Sequence, residues 1–261
     1  SYIWKESWSV MFTFDNITHI STLIDDNEFF KQYYNDQALF KYDWNFFQLK
    51  FQPYLQEFKL IEEMHYVFSK QHHLDHMKFF WPDNTPLKRE LTTYFDQHDY
   101  QLQMLELFSL TSSQWKATPS PSLQIECVND QTLEVFKQIN FREDQLVSDS
   151  FAISHQAAYD QIYQKEGTSM YLASWDGQIV GSFHLYEQAD TLEIDQLLTV
   201  PEYRHRGIAR SMIEFVVTLS RKHNKPIILL ADAEDSTPEM YQKLGFQRHS
   251  YIIGALKELN E

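Results

Sequence analysis

A hydrophobic run that stops at a proline, followed by a basic, glycine-bearing turn and an amphipathic helix, constrains this chain more than any other stretch. It spans Leu192 to His223. Leu192 to Val200 reads as a strand, and Pro201 ends it because proline cannot donate to a ladder. Gly207 and Ala209 bring almost no side chain to the point where the helix begins. Ile208, Met212, Phe215, Val216 and Leu219 then form one apolar face. A helix start leaves backbone N–H groups unpaired and carries partial positive charge. Arg204, Arg206 and Arg210 add full charges around it. Strand, basic turn and helix N-terminus together make a cradle for an anion such as a pyrophosphate. The bland alternative is an ordinary strand-to-helix turn with a solvated basic rim.

The neighbouring segments read in a regular order. Leu123 to Val128 alternates as a strand, and Asn129 and Asp130 offer caps for a helix to about Asn140. Ile153 to Lys165 is helical. Ser169 to Trp175 and Gln178 to Tyr186 form a hairpin around Asp176-Gly177. After the opening stretch, Pro226 to Ala231 is a buried strand and Thr237 to Leu244 a helix ended by Gly245. Phe246 to Leu256 is the last strand.

Within this frame, Arg204-x-x-Gly207-x-Ala209 resembles the acyl-CoA signature of the GNAT family of N-acetyltransferases, and Tyr241-Gln242-Lys243-Leu244-Gly245-Phe246 resembles a second hallmark of that family. The resemblance implies an α/β (α+β) fold over 122–261, with a mixed, mainly antiparallel sheet flanked by helices. It implies an acetyl-CoA-dependent transfer of an acetyl group to a primary amine of a small molecule or peptide, by direct attack. By position, Leu197, Leu198 and Thr199 would pair through their backbone with pantetheine. Arg204, His205, Arg206, Gly207, Ile208, Ala209 and Arg210 would hold the pyrophosphate. Tyr241 matches the proton donor to the CoA sulfur, a task that suits a phenol with a pKa of about 10; its alternative role is packing.

Glu193 is the candidate base, with an ordered water as the alternative. Asp195 shares its strand face, and paired carboxylates raise the pKa of one of them. One departure from the family is Glu234, seven residues before the tyrosine, where an asparagine is frequent. It keeps open a rival reading, a non-catalytic acyl-CoA-binding or regulatory protein. A third reading, aminoacyl transfer on tandem GNAT-like domains without CoA, is opposed by the pyrophosphate loop and the acidic charge.

The first half differs in kind. All six glycines lie beyond residue 166, so residues 1–110 cannot build a glycine-dependent phosphate loop. They read as an α/β domain. Strands are expected at Ser9 to Phe14, Phe47 to Phe51, Met77 to Trp81 and Tyr100 to Leu110, and a helix over Thr18 to Asn35. A further helix is expected with Thr85 as N-cap and Pro86 at its first position. Asp83-Asn84-Thr85-Pro86 recurs as Asp235-Ser236-Thr237-Pro238. This is either a common capping sequence used twice or an internal duplication, which would make the first half a degenerate, tandem GNAT-like domain. Residues 111–121, rich in Ser, Thr and Pro, read as the linker, pinned by Trp115. The glycine-free half would shape the acceptor pocket or a homodimer interface.

A net charge of −15 argues against nucleic acid as a partner. No apolar run approaches the roughly 20 residues that span a bilayer, and Ser1 to Glu6 does not resemble a secretion signal. The expected location is cytoplasmic. The single Cys127 reads as a small buried apolar residue. His72, His73 and His76 read as a solvated loop or helix end, with no metal.

Overall fold

The computed structural model describes residues 12–259. The first half runs β1 (Thr22–Asp26), β2 (Phe30–Tyr34), β3 (Phe46–Leu49), α1 (Leu55–Gln71), β4 (His76–Phe80), α2 (Arg89–Gln97) and β5 (Gln101–Leu110). The second runs β6 (Gln124–Cys127), α3 (Leu133–Asp144), α4 (Asp149–Gln164), β7 (Thr168–Trp175), β8 (Gln178–Glu187) and β9 (Leu192–Thr199). It closes with α5 (Ile208–His223), β10 (Ile227–Asp232), α6 (Thr237–Leu244) and β11 (Gln247–Glu258).

One sheet of eleven strands holds both halves, in the order β1-β2-β3-β4-β11-β5-β10-β9-β8-β7-β6. Two pairings, β3 with β4 and β9 with β10, are parallel; the others are antiparallel. Each half presents the same sequence of strand, helix, parallel strand, helix and final strand: β3-α1-β4-α2-β5, then β9-α5-β10-α6-β11. The final strands are exchanged. β5 pairs with β10 of the second half, β11 pairs with β4 of the first, and β5 and β11 pair with each other at the centre. The recurring Asp-Asn/Ser-Thr-Pro segments follow β4 and β10, at equivalent places in the two halves.

Apolar side chains fill both faces. Phe183, Ile194, Met212, Val216, Leu229 and Tyr241 pack between the sheet and α5 and α6. Phe58, Phe79, Trp81 and Phe95 do the same under α1 and α2, and Phe136, Tyr159, Met170 and Tyr186 under α3 and α4. Each such aromatic, fully buried, contributes about 1.5–3 kcal/mol. Trp115 packs half-buried against the second half's core, and the Lys116 amide donates to the Leu244 carbonyl at 3.1 Å. The connection therefore lies along the protein instead of swinging free. Gly245 lets it do so: its φ is +108°, and a Cβ there would meet the Gln114 carbonyl oxygen at 2.1 Å.

Four expectations give way. Thr18 to Asn35 is not a helix but the β1–β2 hairpin. The Asn27 side chain accepts from the Phe29 and Phe30 amides at 2.8 and 3.0 Å and turns the chain there. Phe30 stacks on Phe47 of β3 at 4.0 Å, while Leu23 and Ile24 of the supposed apolar stripe are 43% and 44% exposed. The helix expected from Thr85 starts at Arg89 instead. Asn84, in the left-handed region at φ +55°, pairs with Tyr251 of β11 through its amide and side chain, which ties this turn to the sheet. Cys127 is exposed, because β6 is an edge strand with a single neighbour. His76 is fully buried on β4 and bonds the Asn45 carbonyl at 2.9 Å. The strand expected at Ser9 to Phe14 falls largely outside the described residues; Phe14–Asn16 form a single 3-10 turn.

Candidate functional site

The parallel pairing of β9 with β10 lasts for only two residue pairs, Leu192 with Ile227 and Glu193 with Ile228. Beyond it the strands part, because β10 follows β5 along its whole length while β9 stays with β8. A bulge sharpens the divergence. Phe183 of β8 faces two residues of β9, Gln196 and Leu197, and Gln196 takes φ +54°. The edge of β9 that faces β10, through Leu197, Leu198 and Thr199, is thus left without a strand partner. Such an edge offers backbone donors and acceptors to an extended ligand.

This open edge leads into the turn. His205 and Gly207 adopt φ +63° and +80°, which aims successive N–H groups into one concavity. Among the described residues, none of the amides from His205 to Arg210 has a hydrogen-bond acceptor. Arg204, His205 and Arg206 are exposed, and Gly207, Ala209 and Arg210 half-buried, so water reaches the turn. A Cβ on Gly207 would approach Pro121 Cδ at 3.1 Å, and Ser211 Oγ donates to the Pro121 carbonyl at 2.7 Å. The linker thereby forms one wall of the cradle.

The three arginines divide. Arg204 turns to Glu143 of α3 at 3.6 Å, and Arg206 lies over the Tyr203 ring. Arg210 has a buried Nε with no partner among the described residues. With Lys116 and Lys243 it lines a 290 Å³ cavity between the linker, α5 and α6. These features fit a diphosphate group: free amides, an unpaired buried guanidinium nitrogen and two further cations. Glu234 does not intrude. It is exposed and lines a separate hollow with Lys78, Gln103 and Asp232.

The corresponding helix start in the first half is closed. The amide of Leu55, at the start of α1, donates to the Glu90 carboxylate at 3.1 Å, and that of Tyr54 to the Glu57 carboxylate at 2.9 Å. The protein's own carboxylates occupy the position that an anion would take. This is the local counterpart of the missing glycines.

Tyr241 projects from α6 and is 7% exposed, with its ring near Phe108 and Phe246. Its hydroxyl has no partner among the described residues. Burial, and then the charge of Asp195, push its pKa up to about 12. Glu193 and Asp195 share the opposite face of β9, as their spacing predicts. Glu193 is 4% exposed and accepts from the Thr18 amide at 2.8 Å; burial, then the neighbouring Asp195, raise its pKa to about 8. Asp195 is half-buried, accepts from the Tyr186 hydroxyl at 3.0 Å and is likewise raised by burial. Its charge acts on Tyr241, on Lys41 and on Tyr186.

A raised carboxyl pKa has a definite sign. Between about 4.5 and about 8 the folded protein keeps the Glu193 proton that the unfolded chain releases. Stability is therefore lost as pH rises through that window. Glu193→Gln retains the acceptor for Thr18 and cannot ionise. Its melting temperature should vary less than the wild type's from pH 5 to 8 and exceed it above pH 8, read by calorimetric scans across pH. Parallel profiles would disprove the buried, protonated state.

Sequence reasoning did not find three nearby groups. Lys41, from the loop before β3, lies 3.0 Å from His155 of α4, and His155 lies 2.8 Å from Asp144 of α3. The only sequence signal was indirect: His155 and Asp144 are polar residues at positions where their helices turn inward. Among the described residues no group of three His, Cys, Asp or Glu side chains is arranged to hold a metal, and no helix is long and apolar enough to cross a membrane.

Comparison with known proteins agrees with this geometry. Residues 137–253 match the family model of an acetyltransferase (GNAT) domain, and residues 12–108 match a domain of unknown function (DUF5613). No curated protein matches the chain. Among solved structures, a functionally unknown conserved protein from Staphylococcus epidermidis is 21% identical, with TM-score 0.88 over 95% of this chain and 98% of that one. A GCN5-related N-acetyltransferase from Kribbella flavida is 11% identical, with TM-score 0.59 over 89% and 87%. A tandem GNAT protein from the clavulanic acid biosynthesis pathway is 10% identical, with TM-score 0.54 over 89% and 79%. At these identities the likeness is one of fold, and it extends across both halves. Open β9 edge and unbonded amides coincide in one stretch, and that stretch lies within residues 137–253, which match the acetyltransferase (GNAT) domain model.

Proposed function

We propose that this protein transfers an acetyl group from acetyl-CoA to a primary amine by direct attack. The observation that carries the reading is the unpaired edge of β9 running into six unbonded amides, His205 to Arg210. When bound, acetyl-CoA supplies the thioester carbonyl that the amine attacks.

The chain's own groups divide the remaining work. The backbone of Leu197, Leu198 and Thr199 aligns the extended arm of the cofactor, and the amides of 205–210 with Arg210 hold its diphosphate. Glu193 and Asp195 are the paired carboxylates that can accept a proton from the amine, and burial raises the pKa of both, that of Glu193 to about 8. Tyr241 holds its phenolic proton at neutral pH and can release it to the departing sulfur. The C–N bond forms as the C–S bond breaks, with one proton leaving the amine and one reaching the thiolate.

The test has two parts. Calorimetry should show acetyl-CoA binding with one site per chain, and CoA release should accompany incubation with a panel of primary amines. Absence of binding would overturn the reading. Tyr241→Phe should lower turnover by about 100-fold while leaving acetyl-CoA affinity nearly unchanged. An unaltered rate would remove Tyr241 from the proton-donor role. The rival reading, an acyl-CoA-binding protein without catalysis, rests on Glu234 and on the glycine-free first half; Glu234 is exposed and lines a separate hollow, which leaves the first half as its support.

A further inference from the structure

A cavity of 940 Å³ is lined by residues of both halves. It is large enough for a small metabolite. The loop before β3 contributes Lys41 and Asp43, the α3–α4 connection contributes Val147 and Ser148, the first turns of α4 contribute Phe151 and Ser154, and the ends of β4 and β11 close it. Its carboxylates, Asp43, Asp75 and Glu258, are all exposed and lie at the rim. Two of them are already engaged: Asp43 faces Lys78 at 3.4 Å, and Glu258 accepts from the Tyr42 hydroxyl at 3.2 Å.

Lys41 sits further in, and its hydrogen bonding is fixed from behind. Asp144 accepts from His155 Nδ1 at 2.8 Å and from the Tyr159 hydroxyl at 2.6 Å. With its proton on Nδ1, His155 presents Nε2 as an acceptor, so the 3.0 Å contact is a donation from the Lys41 ammonium. Burial lowers the pKa of His155, which keeps the ring neutral. Burial also lowers that of Lys41, while Asp43, Asp195 and Asp144 oppose the loss of its charge. An ammonium has three donors. Lys41 uses one on His155 and lies over the Trp44 ring at 5.1 Å; among the described residues no carboxylate is within 4.0 Å of it. Close by, His184 is fully buried with neither ring nitrogen bonded, and burial, then the charge of Lys41, depress its pKa to about 3. A sheltered cation on a cavity wall, held against a neutral acceptor and with no carboxylate partner among the described residues, is a receptor for an anion.

Asp195 links this receptor to the chemistry. It accepts from the Tyr186 hydroxyl at 3.0 Å, the Tyr186 ring lies 6.3 Å from His184, and His184 stacks at 6.0 Å on Tyr159, which donates to Asp144, so the carboxylate and the Lys41 receptor belong to one buried cluster. We propose that the cavity takes an acceptor whose amine is accompanied by a carboxylate, an amino acid with an apolar side chain, and that Lys41 selects it. The carboxylate meets the Lys41 ammonium, the amine lies toward Asp195, and Phe40, Val147, Phe151 and Leu256 receive the side chain. This deepens the acetyl-transfer reading and rests on it for the identity of the reacting group.

The test is calorimetric titration of wild type and Lys41→Met with the N-acetyl-L-amino acids and with their C-terminal amides. At least one acid should bind wild type about 100-fold more tightly than its amide, since an unpaired buried charge is costly. Lys41→Met should erase most of that difference while acetyl-CoA titrates as before. Equal binding of acids and amides by wild type, or binding of neither across the whole panel, overturns the proposal without recourse to the variant. The two readings fail separately. Acid-selective, Lys41-dependent binding in a protein that never releases CoA would leave the cavity assignment standing and sink acetyl transfer. Acetylation of simple amines with no preference for carboxylates would do the reverse.

Discussion

Gly207→Glu should bind acetyl-CoA from about a hundredfold to about ten-thousandfold more weakly than wild type in calorimetry. Gly207 takes φ +80°, and its missing Cβ leaves room for Pro121. A glutamate there brings a carboxylate to the amides to which the proposed function assigns the diphosphate. Each bond from an amide to a charged oxygen is worth about 1.5–3 kcal/mol, so losing two accounts for the range given. The first half shows the outcome already achieved: Glu57 and Glu90 lie on the amides at the start of α1. The substitution also strains the backbone by about 1–3 kcal/mol, so a parallel thermal melt is needed to show that the variant remains folded. Unchanged affinity in a folded variant would mean that the cradle does not hold the cofactor.

A chain divided in the linker, between residues 113 and 119, should yield two fragments that do not fold alone. β5 pairs with β10 from Ile227 to Asp232 and with β11 from Gln247 to Leu256. The second fragment loses both pairings, together with Phe108 and Leu110 from its core. The first fragment loses β11, leaving β4 bare where Gly254 to Glu258 had paired with it. Each exposed edge is also a site for aggregation. Mixed from denaturant, the fragments should form a one-to-one complex that regains acetyl-CoA binding. Circular dichroism and size-exclusion chromatography test this. A second fragment that is folded, monomeric and fully competent for the cofactor would refute it.

How far the molecule could be read from its residues follows from where the decisive signals lie. The cradle was legible because every part of it is local: a proline that ends a strand, a glycine with positive φ and a periodic helix, all within about thirty residues. The hairpin at Asp176-Gly177 was legible for the same reason. The β1–β2 hairpin was not, because Leu23 and Ile24 sit at helical spacing from Ile20 although both are exposed, and pairing with β3 overrides the pattern. The capping segment after β4 misled in a similar way, since Asn84 is claimed by Tyr251, far away in the chain.

The exchange of β5 and β11 leaves no trace in either strand's composition. Both alternate as they would beside any neighbour, and only the assembled sheet decides which neighbour they take. Lys41 was invisible for a related reason. Its meaning comes from His155 and Asp144, and nothing near Lys41 in the chain announces them. Cys127 was misplaced because a four-residue alternating run does not say whether it lies at a sheet's centre or its rim.

The reciprocal loan of closing strands also limits what lineages carrying this protein can do with it. A half whose helix start is closed by its own carboxylates would ordinarily be free to erode or be lost. Here neither piece can be excised, transplanted or replaced on its own, since each completes the other's wall. The silent partner is kept by architecture, whether or not it retains any chemistry.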